Sequence, residues 1–144
     1  MSTRCQIAFY EEEPKELSKP KVLLYRHSDG YPEGVVPDIK PFLEWWEREG
    51  RGIRDIEYVS ARLLQYLCNK YDGHSEELRK ENNWGKEEKG FTGETGYGIC
   101  KDFHRDIEYL YVVYPSVLKV YEVQGFDWED IDSAVKLIET IKIC

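Results

Sequence analysis

The segment Tyr25-Arg26-His27-Ser28-Asp29-Gly30-Tyr31-Pro32-Glu33-Gly34 sits just after an apolar run and gathers a guanidinium, an imidazole, a hydroxyl and turn-forming residues in one short span. Such a change of character reads as a strand that stops in a polar loop. Another segment, His104-Arg105-Asp106-Ile107-Glu108-Tyr109, repeats the His-x-Asp spacing and leads into a second strongly apolar run. All functional expectations rest on these two segments meeting in the fold.

Working outward, residues 4–10 alternate, with Cys5, Ile7 and Phe9 on one side and Gln6, Ala8 and Tyr10 on the other, which is the period of a strand. Residues 11–20 carry Pro14, Pro20 and mostly charge, an exposed connection into a short strand at 22–25, so the first two strands form a hairpin. Beyond the polar loop, Asp38 can cap a helix in which Ile39, Phe42, Leu43 and Trp46 recur at helical spacing up to Gly50, with Pro41 tolerated in its first turn. A second helix starts at Asp55, carries the stripe Ile56, Val59, Leu63, Leu67 and Tyr71, and stops at Gly73. Residues 74–96 form a long polar excursion.

Strands follow at 97–101, 107–114 and 117–123, the last two joined by a turn at Pro115-Ser116. Asp127 then caps a final helix with Ile131, Ala134, Val135, Ile138 and Ile141 on one face and Lys142 near its end. The order predicts a single α+β domain over residues 1–144, a mainly antiparallel sheet of about five strands with two to three helices packed on it.

At 144 residues the chain can bury a core without metal or disulfide staples. Its Lys and Glu content with a single Met matches the composition of thermophile proteins. A net charge of -8 without a long basic run argues against a polyanion-binding face, so nucleic acid is not an expected partner. Basic residues interrupt every acidic cluster, and the excess serves solubility. Cys5, Cys68, Cys100 and Cys144 are far apart in sequence and form no Cys-x-x-Cys pair, which suits reduced thiols and leaves a disulfide open, since distance in space is not read from spacing. With no signal-peptide core at the start and no run long enough for a membrane span, the expected setting is the cytoplasm, away from membranes.

An extended segment would project His104, Asp106 and Glu108 from one face, and His27 and Asp29 could join them from the first loop. Imidazole titrates near neutrality, so His27 and His104 are candidate catalytic acids or bases, each held in one tautomer by Asp29 or Asp106. Arg4, Arg26 and Arg105 are candidate holders of an anionic group, with Tyr31 and Glu108 as further ligand contacts. If a metal is bound, His27, His104, Asp106 and Glu108 are its expected ligands, with a divalent ion as the cofactor. The glycine-rich span 90–98 lacks the lysine and following helix of a phosphate-binding loop, and His-Arg-Asp stands without the other kinase motifs. Trp45 and Trp46 are adjacent, so one helix face cannot bury both, and a subunit contact in a homo-oligomer is the natural outlet.

Three pieces together, Ser2-Thr3-Arg4, the decapeptide from Tyr25 to Gly34, and His104-Arg105-Asp106-Ile107-Glu108-Tyr109-Leu110-Tyr111, resemble a group of small proteins encoded mainly by phages, plasmids and prophage regions. The resemblance covers both strand pairs but neither the 74–96 excursion nor the last helix. It implies a mobile-element accessory protein and no particular reaction. Two functions stay open: a site for a small phosphate-bearing or otherwise anionic ligand, with hydrolysis in its range, and a non-catalytic module that binds another protein through its aromatic surface.

Overall fold

Alternation in the first strand decides how the layers form. In β1 (Cys5–Phe9) every residue is buried, so this strand is covered on both faces. Cys5, Ile7 and Phe9 belong to one apolar cluster with the helices, while Ala8 and the following Tyr10 belong to a second cluster on the opposite face. The computed structural model describes residues 3–49, 55–71, 96–125 and 128–143.

Around β1 the described elements run β2 (Val22–Arg26), α1 (Pro32–Arg48), α2 (Ile56–Tyr71), β3 (Tyr97–Ile99), β4 (Tyr109–Tyr114), β5 (Val117–Val123), α3 (Ile131–Ala134) and β6 (Val135–Lys142). The strands make one sheet of order β3-β2-β1-β4-β5-β6. Neighbouring strands are antiparallel except β1 and β4, which run parallel, so the α+β expectation holds with a sixth strand added. This parallel pair positions the site. Cys5 at the start of β1 is level with Arg26 at the end of β2 and with Tyr109 at the start of β4.

Helix α1 buries Val35, Ile39, Leu43 and Trp46, and α2 buries Ile56, Val59, Leu63 and Leu67, two helically spaced stripes that close over one face of the sheet. Among the described residues the other face is closed by connections and the short α3. Leu17, Ile107 and Ile131 are buried there, and the first connection is tied to α3 by the Leu17 N–H donating to Asp132 Oδ1 at 2.8 Å.

Two expectations about helices are corrected. Helix α1 begins at Pro32, not after Asp38, and Pro37 and Pro41 both lie inside it. Each interior proline removes a backbone hydrogen bond and is costly. The buried stripe starting at Val35 offsets that cost, and Asp38 acts inside the helix instead of capping it.

The expected final helix ends after a single turn. Asp130 accepts from the Asp132 N–H and starts α3, and from Val135 the chain becomes β6 and pairs with β5. Val135, Ile138 and Ile141 supply the helical period, but they are β-branched and lose side-chain freedom in a helix. The open edge of β5 offers them a ladder from Val117 to Val123. A register shift between Val120 and Tyr121 accommodates the pairing. Asp127, Gly73, Gly50 and residues 74–95 of the excursion lie outside the described residues, as do Ser2 and Cys144. Among the described residues no helix is long and apolar enough to cross a membrane.

Burial pushes the Cys5 thiol up to about 12, with the Arg26 charge working in the opposite direction. It also raises the Tyr10, Tyr97 and Tyr111 phenols well above their ordinary 10.0. From about pH 9 upward the unfolded chain releases protons that the folded chain retains, so the unfolded state binds fewer protons and stability falls as pH rises. Urea unfolding is expected to lose at least about 2 kcal/mol of stability between pH 9 and 11, the share of Cys5 alone. An unchanged midpoint over that interval would show that these groups ionise within the fold.

Candidate functional site

Alternation at the end of β2 sends neighbouring side chains to opposite faces. Arg26 turns toward the helices, where Nη1 donates to Asp38 Oδ2 at 2.7 Å and Nε donates to the Ser28 carbonyl at 2.8 Å. Its guanidinium also lies 5.7 Å from the Tyr97 ring centroid, and Lys70 Nζ reaches the other Asp38 oxygen at 2.9 Å. Burial opposes the Arg26 charge, but Tyr97 and Asp38 outweigh it and raise its pKa. Arg26 thus uses Nε and Nη1 to hold the loop to α1.

Tyr25 and His27 face the other way. Tyr25 Oη and His27 Nδ1 are 3.2 Å apart, and the His104 ring lies against the same tyrosine with centroids 4.8 Å apart. The two remote segments therefore meet, with Tyr25 between their imidazoles. Both histidines are exposed and Tyr25 is half-buried. Burial raises the Tyr25 phenol, Arg4 opposes that rise and Asp106 adds to it, which puts both charges in this neighbourhood. Arg4 Nη1 and Asp106 Oδ2 form an ion pair of 2.9 Å, with side chains 39% and 47% exposed.

Backbone contacts knit the same place. The Gly30 N–H donates to the Thr3 carbonyl at 2.9 Å and the Glu108 N–H to the Arg4 carbonyl at 2.9 Å. Tyr111, buried beneath the loop, donates its hydroxyl proton to the Gly30 carbonyl at 2.6 Å. A side chain at residue 30 would sit 2.8 Å from the Thr3 carbonyl oxygen, so only glycine allows the approach. Gly34 is held as closely, since a Cβ there would stand 2.7 Å from the Asp29 carbonyl oxygen.

The carboxylates do not take the orienting roles expected of them. Asp29 adopts the left-handed region (φ 54°), and its Oδ1 accepts from the Tyr31 hydroxyl at 3.2 Å, which raises the Tyr31 pKa. Asp106 pairs with Arg4 instead of His104. The chain turns at Arg105 and Asp106 rather than extending, so the alternation that would have aligned His104, Asp106 and Glu108 is broken. Arg105 is drawn off to Trp128, 5.6 Å from its ring centroid, and Glu108 joins the cluster through its backbone. Among the described residues no three of His, Cys, Asp and Glu gather as a metal site would require, so His27, His104, Asp106 and Glu108 do not form the expected ligand set.

Sequence reasoning missed Gln6 as the organiser of the second segment. It is wholly buried in β1, accepts from the His104 N–H through Oε1 at 2.8 Å, and donates through Nε2 to the Asp102 carbonyl at 3.2 Å. The available signal was a lone amide among apolar residues in a strand. A buried amide needs partners, and a loop backbone supplies them. Of the adjacent tryptophans, Trp46 is buried and Trp45 remains 42% exposed.

Removing Arg26 leaves Asp38 with only Lys70, and strips the Ser28 carbonyl of its donor. Arg26→Gln is expected to cost about 3 kcal/mol in chemical unfolding. Asp38→Asn should cost less, and the double variant less than the sum. Additive losses would show that the pair contributes nothing through its contact. Set against family models, curated proteins and solved structures, the chain finds no match.

Proposed function

We propose that this chain binds a small phosphate-bearing or otherwise anionic ligand at the Tyr25, His27 and His104 cluster, with Arg4 as its charged arm. The observation that carries this reading is that two exposed imidazoles from remote segments share one tyrosine ring. A fold needing only a tight turn has no use for a second imidazole there.

Arg4 differs from Arg26 in what it would give up. An exposed ion pair such as that between Arg4 and Asp106 contributes about 0–1 kcal/mol, so a phosphate or carboxylate can replace Asp106 at little cost. A guanidinium grips such a group with two parallel hydrogen bonds, and imidazoles add donors beside it. The tyrosine hydroxyl completes a set that can both give and accept a proton, so hydrolysis of a phosphate ester is in its range as a second step beyond binding. The described parts of the three segments that carry the phage and plasmid resemblance meet at this cluster, through Arg4, through Tyr25 with His27, and through His104 with Asp106. That supports reading the shared residues as a site, and a cytoplasmic mobile-element protein is the bearer we propose for it.

Titration with inorganic phosphate and with adenosine monophosphate at low ionic strength, followed through the histidine ring signals by NMR, tests the proposal. The His27 and His104 signals should move together and saturate, and Arg4→Gln and His104→Ala should each weaken binding about tenfold. His27 and His104 ring signals indifferent to both compounds, or affinities left unchanged by Arg4→Gln and His104→Ala, would overturn it.

A further inference from the structure

Each helix carries a second stripe beside the one it buries. On α1, Pro41, Phe42 and Trp45 are offset from the core stripe, and on α2 the residues Tyr58, Arg62, Gln65, Tyr66 and Asn69 recur at helical spacing. The two stripes face each other across a groove of about 700 Å³. It lies on the helical layer, whereas the histidine cluster lies on the opposite face of the sheet.

The groove is an aromatic surface organised by stacking. The Phe42 and Tyr66 rings join the helices with centroids 5.8 Å apart and planes 26° from parallel, and Phe42 also stacks on Trp46 at 5.9 Å. Trp45 meets Phe42 at 5.9 Å and Trp46 edge-on at 6.0 Å. Despite these contacts Trp45, Tyr58 and Tyr66 stay 42%, 54% and 37% exposed, an unusual amount of aromatic area to leave in water at one place. The volume falls in the range of about 300–1,000 Å³ that small-molecule sites occupy.

Charge selects the occupant. The chain carries -8, yet among the described residues the groove lining holds no carboxylate and one cation, Arg62. Arg62 lies 5.1 Å from the Tyr58 ring centroid and Lys70 Nζ lies 6.0 Å from that of Tyr66, so the electron-rich ring faces are already turned toward the protein's own cations. A ligand cation would meet repulsion there, and an anion would meet attraction. One cation cannot track a nucleic-acid backbone. Gln65 and Asn69 add amide donors and acceptors to the lining. Trp46, also in the lining, has a buried indole N–H with no acceptor among the described residues.

We infer that the groove between α1 and α2 is a binding site for a planar aromatic molecule bearing a single carboxylate-like group. The ring system stacks among Phe42, Trp45 and Tyr66, and the anionic group pairs with Arg62. This site is separate from the histidine cluster.

The test uses the full chain and 1-naphthoate as probe, read through the tryptophan indole N–H signals in NMR spectra, with 1-naphthylmethylammonium as the cationic counterpart. Naphthoate should shift the Trp45 and Trp46 signals saturably and leave Trp128 unmoved, and it should bind the ammonium compound's site at least about tenfold more tightly than that compound does. Arg62→Gln should erase most of that preference, and Trp45→Ala should weaken naphthoate about tenfold. Binding in the variant lacking His27 and His104 should be unchanged, which separates this site from the other. Equal affinity for the two probes, or naphthoate binding indifferent to Arg62→Gln and Trp45→Ala, would overturn the inference. So would sedimentation showing that Trp45→Ala converts a dimer to a monomer while naphthoate leaves the parent chain unaffected, because the groove would then hold a second copy.

Discussion

The structure depends on β1 being buried on both faces. A strand with no solvent-facing side needs a neighbour on each edge and a layer on each face, and β1 obtains β2 and β4 as edges. Running parallel to β4 and antiparallel to β2, it collects the end of one and the start of the other beside Cys5. The meeting of the two His-x-Asp segments follows from that topology. It needs no attraction between the segments themselves.

From this shared end the polar residues divide by face, and the division sets what each can do. Arg4 and Arg26 approach the same corner of the sheet, yet their energetics differ. Arg26 is nearly buried and bonded to Asp38 and Ser28, so its loss would leave the half-buried Asp38 carboxylate with Lys70 and the Ser28 carbonyl without that donor. Arg4 pairs with Asp106 in water, where attraction and hydration nearly cancel. The helical side of the corner is therefore committed to stability, and the side bearing Tyr25 retains groups that can be exchanged.

Much of the fold was legible because burial leaves a periodic imprint. The alternation of Cys5, Ile7 and Phe9, the span of β5 and the α2 stripe from Ile56 through Leu67 all follow directly from side-chain direction. The start of α1 was hidden because Pro37 and Pro41 are local signals against a helix that only the buried stripe overrides. Strand β6 was hidden for the opposite reason: its helical period is real, but β5 offers an edge that the local pattern cannot reveal. In the cluster around Tyr25, the meeting of the two segments and the residues Arg4, His27 and His104 could be expected in advance. The left-handed Asp29 and the turn at Asp106 could not, since an extended segment and a turn share the same letters. Tyr25 reads as a strand end in the sequence, and its contact with both imidazoles required the register of β1 with both neighbours.

Gly30 has a consequence for how variation in this chain would be read. Its carbonyl takes the Tyr111 proton, its N–H meets Thr3, and no side chain fits at the position. Selection for folding alone would keep glycine there in every descendant, even in lineages whose histidines had lost all use. An invariant residue in the middle of a polar loop would then report on how tightly the chain's first residues are tied down, and would say nothing about chemistry. The exposed imidazoles beside it, which the sheet does not need, are the positions whose retention would carry that information.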